Sequence, residues 1–364
     1  MKKRFESLDA FRGLCAVCLV VYHMALIGSI TELDFFKKST ILVEFFFVLS
    51  GFVLAHAYAF GPKISFINYV KARILRIYPL HIFMLLIFII LEAINLLLYK
   101  SGYSFGTVPF SDKNGLDQLL PNFLLLQSWL PFTHPLSFNG PSWSISVEFY
   151  MYLILFATIV IFKKQRLFIW VSISSIAFMM LFVKYDFPSR QVFRGLSCFF
   201  AGAVVYVFYN KFRNIKFDGT IASLVEMLLL LCVVLITQSD LEYRSILASL
   251  LFVFVVLVYS YEFGCVSRLL KGDFFQLLGK ISFSIYMTHY ALVIIIKSCF
   301  MVIQNITGKR VAPLVNGSRF IDLGSPLMNN LLLFLFIFLV IVTSLITYRY
   351  VEIKTKDFIV NKFL

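Results

Sequence analysis

The chain has 364 residues, 60% of them hydrophobic, 18% aromatic and 14% charged, with a formal net charge of +14. A mean hydropathy of +0.88 excludes a water-soluble fold, since soluble domains carry about a quarter charged residues and could not hide so much apolar surface. The positive charge does not mark a nucleic-acid binder either, because Lys and Arg fall in short clusters between apolar runs rather than along one soluble face.

About 20 apolar residues cross a bilayer. Apolar runs bounded by charges, Pro or Gly predict ten spans, near 11–30, 40–60, 78–98, 143–162, 167–184, 191–209, 221–238, 245–262, 281–303 and 327–348. The start Met1-Lys2-Lys3-Arg4 mimics a secretory signal. Arg12 and His23 interrupt the apolar run behind it and no small-x-small cleavage site is evident, so 11–30 is read as a retained first span. The clusters Lys2-Lys3-Arg4, Lys71 to Arg76, Lys163-Lys164-Arg166, Lys211 to Lys216, Arg268 to Lys280 and Arg349 to Lys356 all fall on one side of this arrangement. The positive-inside rule makes that side the cytoplasm; Lys37-Lys38 and Lys309-Arg310 are exceptions on the other.

The expectation is an all-α integral membrane protein of about ten transmembrane helices with both termini cytoplasmic, a single membrane domain over 1–364 with no soluble domain appended. The long outer segments are 99–142, rich in Pro, Gly, Ser and Asn, and 304–326. The second holds the Asn-x-Ser/Thr sequences at Asn305 and Asn316, which matter only in a eukaryotic secretory pathway. Cysteines at 15, 18, 198, 232 and 299 sit in apolar runs as small hydrophobes, and Cys15-Ala16-Val17-Cys18 lacks the thioredoxin-like context that its redox spacing needs.

Ionisable groups at the centre of a span cost about 2.5–3.5 kcal/mol, so each one is a functional candidate. In the first span these are Asp9 and Arg12 at the cytoplasmic entrance and His23 deeper in. Arg12 and His23 are eleven residues apart, about 1100° of helix rotation, which places them within ~20° on one face and ~16 Å apart along the axis. An imidazole titrating near neutral pH can take a proton from a hydroxyl and return it to a leaving group, so His23 is a candidate general base; a histidine bonded to a neighbouring helix is the bland alternative. Arg73 and Arg76 share a helix face at the cytoplasmic surface, where guanidinium forks suit phosphate oxygens, although lipid phosphates would suit them too. Glu148, about one and a half turns into the fourth span behind Ser142-Trp143-Ser144, is a carboxylate that requires a partner. It could orient a histidine, bind a hydroxyl or pair with an arginine. Glu44 poses the same question in the second span, ahead of Ser50-Gly51. His289 reads as a packing residue, and the spacing of His56, His81 and His134 suggests no metal site.

These residues resemble the acyltransferase 3 family of membrane-bound acyltransferases, which modify cell-surface glycans and other hydroxyl acceptors. The resemblance covers nearly the whole chain and rests on Ser7-Leu8-Asp9-Ala10-Phe11-Arg12-Gly13 with His23, Phe46-Phe47-Val48-Leu49-Ser50-Gly51-Phe52, Arg73-Ile74-Leu75-Arg76-Ile77-Tyr78-Pro79, Ser142-Trp143-Ser144-Ile145-Ser146-Val147-Glu148, and Ile281 to His289. It implies an Arg12-to-His23 signature with His23 as catalytic base, and Arg73 and Arg76 as a pair that handles acyl-CoA. The residues themselves add Arg12 to donor binding, Glu148 beside His23 or the acceptor, and Asp9, Glu44 and Trp143 in supporting or substrate-binding roles. Glu44 stands where Asp is more usual, with the carboxylate kept. Some members carry an extra esterase-like domain, and this chain resembles the stand-alone form.

The expected function is therefore a membrane O-acyltransferase, with O-acetyl transfer the default. An acyl group from cytoplasmic acyl-CoA, acetyl-CoA by default, moves to a hydroxyl of a cell-surface carbohydrate or lipid-linked glycan. No metal and no nucleic acid take part, and the expected location is the bacterial cytoplasmic membrane, among its lipids. O-antigen of lipopolysaccharide, capsule, exopolysaccharide, peptidoglycan and secreted small molecules all offer such hydroxyls. The competing reading is a transporter or flippase of a lipid-linked saccharide, against which stands the lack of repeat-related halves.

Overall fold

The computed structural model describes residues 3–61, 64–102, 108–315 and 317–363. Met1 and Lys2 of the first basic cluster, 103–107 of the long outer segment and Asn316 lie outside the described residues. The protein is an all-α membrane protein, 76% helical, and ten long helices follow the ten expected spans. They are α1 (Glu6–His23), α2 (Leu42–Tyr58), α3 (Phe66–Lys100), α4 (Trp143–Ile161), α5 (Arg166–Phe182), α6 (Arg190–Phe212), α7 (Gly219–Gln238), α8 (Arg244–Tyr261), α9 (Asp273–Thr307) and α10 (Pro326–Thr347). Eight of these, some with a flanking turn, are long and apolar enough to cross a membrane. The other two are α1, whose 18 residues include Glu6, Asp9 and Arg12, and α5, with 17 residues.

The boundaries of α1 and α3 move for local reasons, and α9 starts at Asp273 rather than 281. α1 ends at His23 rather than near 30, because the chain then extends so that Leu26 bridges Ile321, turns at Gly28 with φ of 61°, and starts a new turn capped by Ser29. Positive φ is open to glycine at little cost and ends a helical run. His23 therefore closes the helix instead of lying deep within it. α3 starts at Phe66 rather than 78, since Ser65 caps its amino end and Pro79 sits inside the helix. A proline deletes one helical hydrogen bond, but the apolar run behind it keeps the helix in the membrane, and Arg73 and Arg76 stand on the same rod. α10 leaves through a π-helical turn, Tyr348–Ile353, into a terminal helix, Lys354–Phe363.

Packing divides the bundle into two groups. α1 lies along α9 and beside α10, around Ala16, Val20, Ile281, Ile285, Leu333 and Phe336. α2 lies along α6, flanked by α4, α5 and α8, around Phe45, Phe47, Val48, Phe199, Phe200 and Phe252. Helix association in a membrane depends on close backbone approach at small residues. A Cβ on Gly13 or Gly279 would run into the facing backbone of α9 or α1, and one on Gly51 or Gly202 into that of α6 or α2.

The basic clusters gather at one end of the bundle. At the opposite end, Lys38 is 2.5 Å from Asp240, which neutralises one exception to the charge asymmetry. The segment 108–142 packs over that end as tight turns and a short helix, Leu119–Phe123, with Gln118, Asn122, Gln127, Ser128, Ser137 and Asn139 buried. Asn122 donates to Ser137 at 2.6 Å, Asn139 to the Met287 carbonyl at 3.1 Å and Ser128 to the Trp143 carbonyl at 3.1 Å. Buried polar groups persist when bonded in this way.

Candidate active site

A cavity of about 720 Å³ opens where the two helix groups meet, lined from α1, α2, α3, α4, α9 and the terminal helix. Its mouth holds Asn68, Lys71, Arg73, Arg76 and Lys356, and its inner wall Arg12, Ser50, Ser144, Glu148, Tyr152, Ser282 and Tyr286. Arg12, Arg73, Arg76 and Glu148, well separated in sequence, are thus brought together.

Each charged group is held by a specific contact. Arg12 Nε donates to Ser282 Oγ at 2.8 Å and Nη2 to the Gly279 carbonyl at 3.1 Å, with Asp9 at 3.6 Å behind it. Asp9 itself pairs with Arg4 at 2.7 Å, so it holds Arg12 from outside the cavity. Arg73 donates to the Tyr58 hydroxyl at 3.1 Å and lies 5.5–5.8 Å from the ring centres of Tyr58, Tyr69 and Tyr152. This aromatic cage holds the guanidinium by its faces, and Arg73 Nε is buried without a hydrogen bond among the described residues. Arg76 Nη1 is 2.7 Å from Glu352 Oε2, and Glu352 also accepts from Ser284 at 2.5 Å. Glu148 accepts from Ser50 and, at 2.5 Å, from Tyr152.

His23 lies beyond this cavity, at the end of α1. Its Nδ1 is 2.9 Å from the Leu19 carbonyl and 3.1 Å from Nε2 of His289, and its ring meets Tyr22 and Tyr290 edge-on. Arg12 and His23 both face α9, as their spacing predicts: Arg12 at Ser282, His23 at His289. Between them stands Tyr286, which lines the cavity with its ring centre 6.0 Å from that of His289. Its hydroxyl donates to the Pro141 carbonyl and meets Ser144 Oγ, each at 2.8 Å. Lys297 donates to the His23 carbonyl at 3.2 Å. The ring partner of His23 is thus His289, read from the sequence as a packing residue; orienting a histidine was one of three readings of Glu148. Glu148 is turned toward Ser50 and Tyr152.

Glu44 and Trp143 form a separate cluster. Glu44 Oε1 accepts from Arg194 at 2.9 Å and Ser245 at 2.8 Å, while its other oxygen is buried without a donor among the described residues. Arg194 lies 4.9 Å from the centre of the Trp143 ring, which packs on Phe47.

A family model described as an acyltransferase domain matches residues 5–349. The chain belongs to the acyltransferase 3 family. Two relatives agree in part: "Acyltransferase MdmB" of Streptomyces mycarofaciens is 35% identical over 158 residues, 41% of this chain and 38% of that protein. "Protein 2 in picA locus" of Rhizobium radiobacter is 33% identical over 162 residues, 40% of this chain and 78% of that protein. The chain thus matches less than half the length of the first of these relatives. No solved structure matches.

Within this acyltransferase 3 chain, the site contains residues that sequence reasoning passed over. Glu352 sits inside Arg349 to Lys356, a cluster read as a topology signal, and three residues past the end of the family match. The π-turn that holds it is the local sign, since such turns recur at functional sites. Arg194 and Lys297 lie inside expected spans and carried the same signal as Arg12, a charge within an apolar run. Ser50, Tyr152 and Tyr286 are polar groups on apolar helices whose relevance depends on a partner from another helix.

Proposed function

We propose that this acyltransferase 3 protein is an O-acyltransferase of the bacterial cytoplasmic membrane, moving an acyl group, acetyl by default, from cytoplasmic acyl-CoA to a hydroxyl of a cell-surface carbohydrate or related acceptor. The observation that carries this reading is the convergence of Arg12, Arg73, Arg76, Lys71 and Lys356 on one cavity of about 720 Å³ at the basic end of the bundle. Clefts of about 300–1,000 Å³ accommodate extended small molecules, and guanidinium groups suit the phosphates of CoA through paired, charge-assisted hydrogen bonds.

In this reading the phosphates rest on Arg73 and Arg76, and the pantetheine arm runs inward past Arg12 toward Tyr286. His23 accepts the proton of the acceptor hydroxyl as its oxygen attacks the thioester carbon. The carbon–sulfur bond breaks, the ester forms, and the same proton passes from His23 to the departing thiolate. Tyr286 lines the cavity and stands beside His289, so the thioester passes it on the way to His23. Glu148, fixed by Ser50 and Tyr152, serves the inner wall of the cavity as a hydrogen-bond acceptor.

The test is to express wild type and His23→Ala at matched membrane levels, supply labelled acetyl-CoA on the cytoplasmic side and follow label into base-labile esters of the surface glycan fraction. Ester label that depends on His23 is the expected result. No ester label above a vector control, across several acceptors, overturns the reading in favour of a saccharide transporter.

A further inference from the structure

We infer that His289 is a positioning residue: it holds the proton of His23 on Nδ1 and so leaves Nε2 as the atom that takes the acceptor's proton. The inference rests on the reading of His23 as base and adds the group that sets its tautomer.

The argument follows from which atoms can donate. Backbone carbonyls only accept hydrogen bonds. The Ile285 carbonyl, 3.0 Å from His289 Nδ1, therefore places a proton on that nitrogen. A neutral His289 then presents Nε2 as a lone pair, 3.1 Å from His23 Nδ1. The Leu19 carbonyl, 2.9 Å from the same His23 nitrogen, also requires a donor there. Two independent acceptors thus converge on His23 Nδ1, and both are satisfied by one arrangement: Nδ1–H on His23, lone pair on its Nε2. Among the described residues no hydrogen bond occupies that Nε2.

The surroundings keep His289 neutral. It is fully buried on α9, 3.1 Å from the ring that becomes the imidazolium. A second cation in an apolar interior beside that imidazolium would be unfavourable. His289 can therefore continue to accept from His23 Nδ1–H after Nε2 has gained the acceptor's proton. The imidazolium then has both its Nδ1 partners in place, and it returns the Nε2 proton to the CoA thiolate. The orienting group of a triad acts in the same way, by fixing tautomer and ring rather than by taking the proton.

The experiment compares His289→Leu and His289→Gln with wild type in the labelled acetyl-CoA assay, at matched folded amounts. Gln offers an amide oxygen near the position of Nε2, whereas Leu fits an apolar interior but accepts nothing. The expected result is a kcat lower by roughly 10- to 1000-fold in His289→Leu with KM for acetyl-CoA unchanged, less than the roughly 10⁴-fold of a fully wrong tautomer because the Leu19 carbonyl still accepts from Nδ1. Gln should stay within about tenfold of wild type, since its oxygen restores the acceptor. A packing role predicts the opposite order, with Leu equal to or better than Gln, and that order, or a change confined to KM, overturns the proposal. His289→Ala supplied with 4-methylimidazole gives a second reading, with saturable rescue expected. His23→Ala in the same assay separates the two levels: undiminished transfer there removes the base itself, whereas transfer lost there but intact in His289→Leu removes only the positioning role.

Discussion

Arg76 on α3 and Glu352 in the π-turn after α10 form an ion pair of 2.7 Å across 276 residues of sequence, with Glu352 buried and Arg76 40% exposed at the cavity mouth. The carboxylate thus fixes a guanidinium whose other nitrogens remain available to a ligand. Glu352→Gln should keep the fold and raise KM for acyl-CoA about tenfold, near 1.4 kcal/mol of lost orientation. Glu352→Ala should also lower thermal stability in detergent. Its cost should fall below the roughly 3–5 kcal/mol of a fully buried broken pair because Arg76 is partly solvated. Initial-rate kinetics beside a melting curve reads both, and an unchanged KM in both variants would remove Glu352 from donor binding.

Arg73 and Arg76 differ in how they are held, so their lysine variants should differ. Arg73 is caged by three tyrosine rings and bonded to Tyr58. An ammonium keeps the charge but loses the planar stacking. Arg73→Lys should therefore raise KM for acyl-CoA by roughly 10- to 100-fold, the equivalent of about 1.5–3 kcal/mol for a charge-assisted bond. Arg76→Lys, which can still reach Glu352, should cost less. Titration of the purified variants with CoA measures the order, and a smaller loss at Arg73 would contradict it.

His23→Ala should lower acyl transfer by roughly 10²- to 10⁴-fold, the range for loss of a general base, while leaving CoA binding near wild type, because the imidazole lies outside the cavity that holds the arginines. Tight CoA binding with no turnover is the combination to look for; loss of both would mean that the end of α1 shapes the donor site.

Glu44 and Arg194 pair at the other end of the bundle, the carboxylate buried at 1% exposure and the arginine side chain 23% exposed. Removing Glu44 leaves a partly buried guanidinium uncompensated. Glu44→Leu should thus destabilise by less than the roughly 3–5 kcal/mol of a fully buried broken pair, and the double variant Glu44→Leu, Arg194→Met should recover most of the loss. Melting temperatures of the two single variants and the double variant give the coupling directly; simple additivity would show that the pair contributes nothing specific.

The helices were legible because each carries its own apolar run, in eight of them long enough for a bilayer. Arg12, Arg73, Arg76 and Glu148 were legible because a charge beside or within such a run stands out, and they share one cavity. What sequence could not show is pairing between helices. Glu352 reads as one acid among basic neighbours, and only the π-turn brings it under Arg76. His289 lies on an apolar helix like any packing histidine until α1 brings His23 to it. The end of α1 was misplaced for a similar reason: apolar residues 24–27 continue the hydropathy run, yet their backbone pairs with Ile321 instead of with itself.

The contact of Gly13 with Gly279 has a mechanical consequence. Backbones that touch without intervening side chains have little room to slide or tilt, so α1 and α9 form one stiff strut, carrying Arg12 and Ser282 toward one end and His23 and His289 toward the other. The distance from the donor-binding end to the imidazole is then set like a ruler, whatever occupies the cavity.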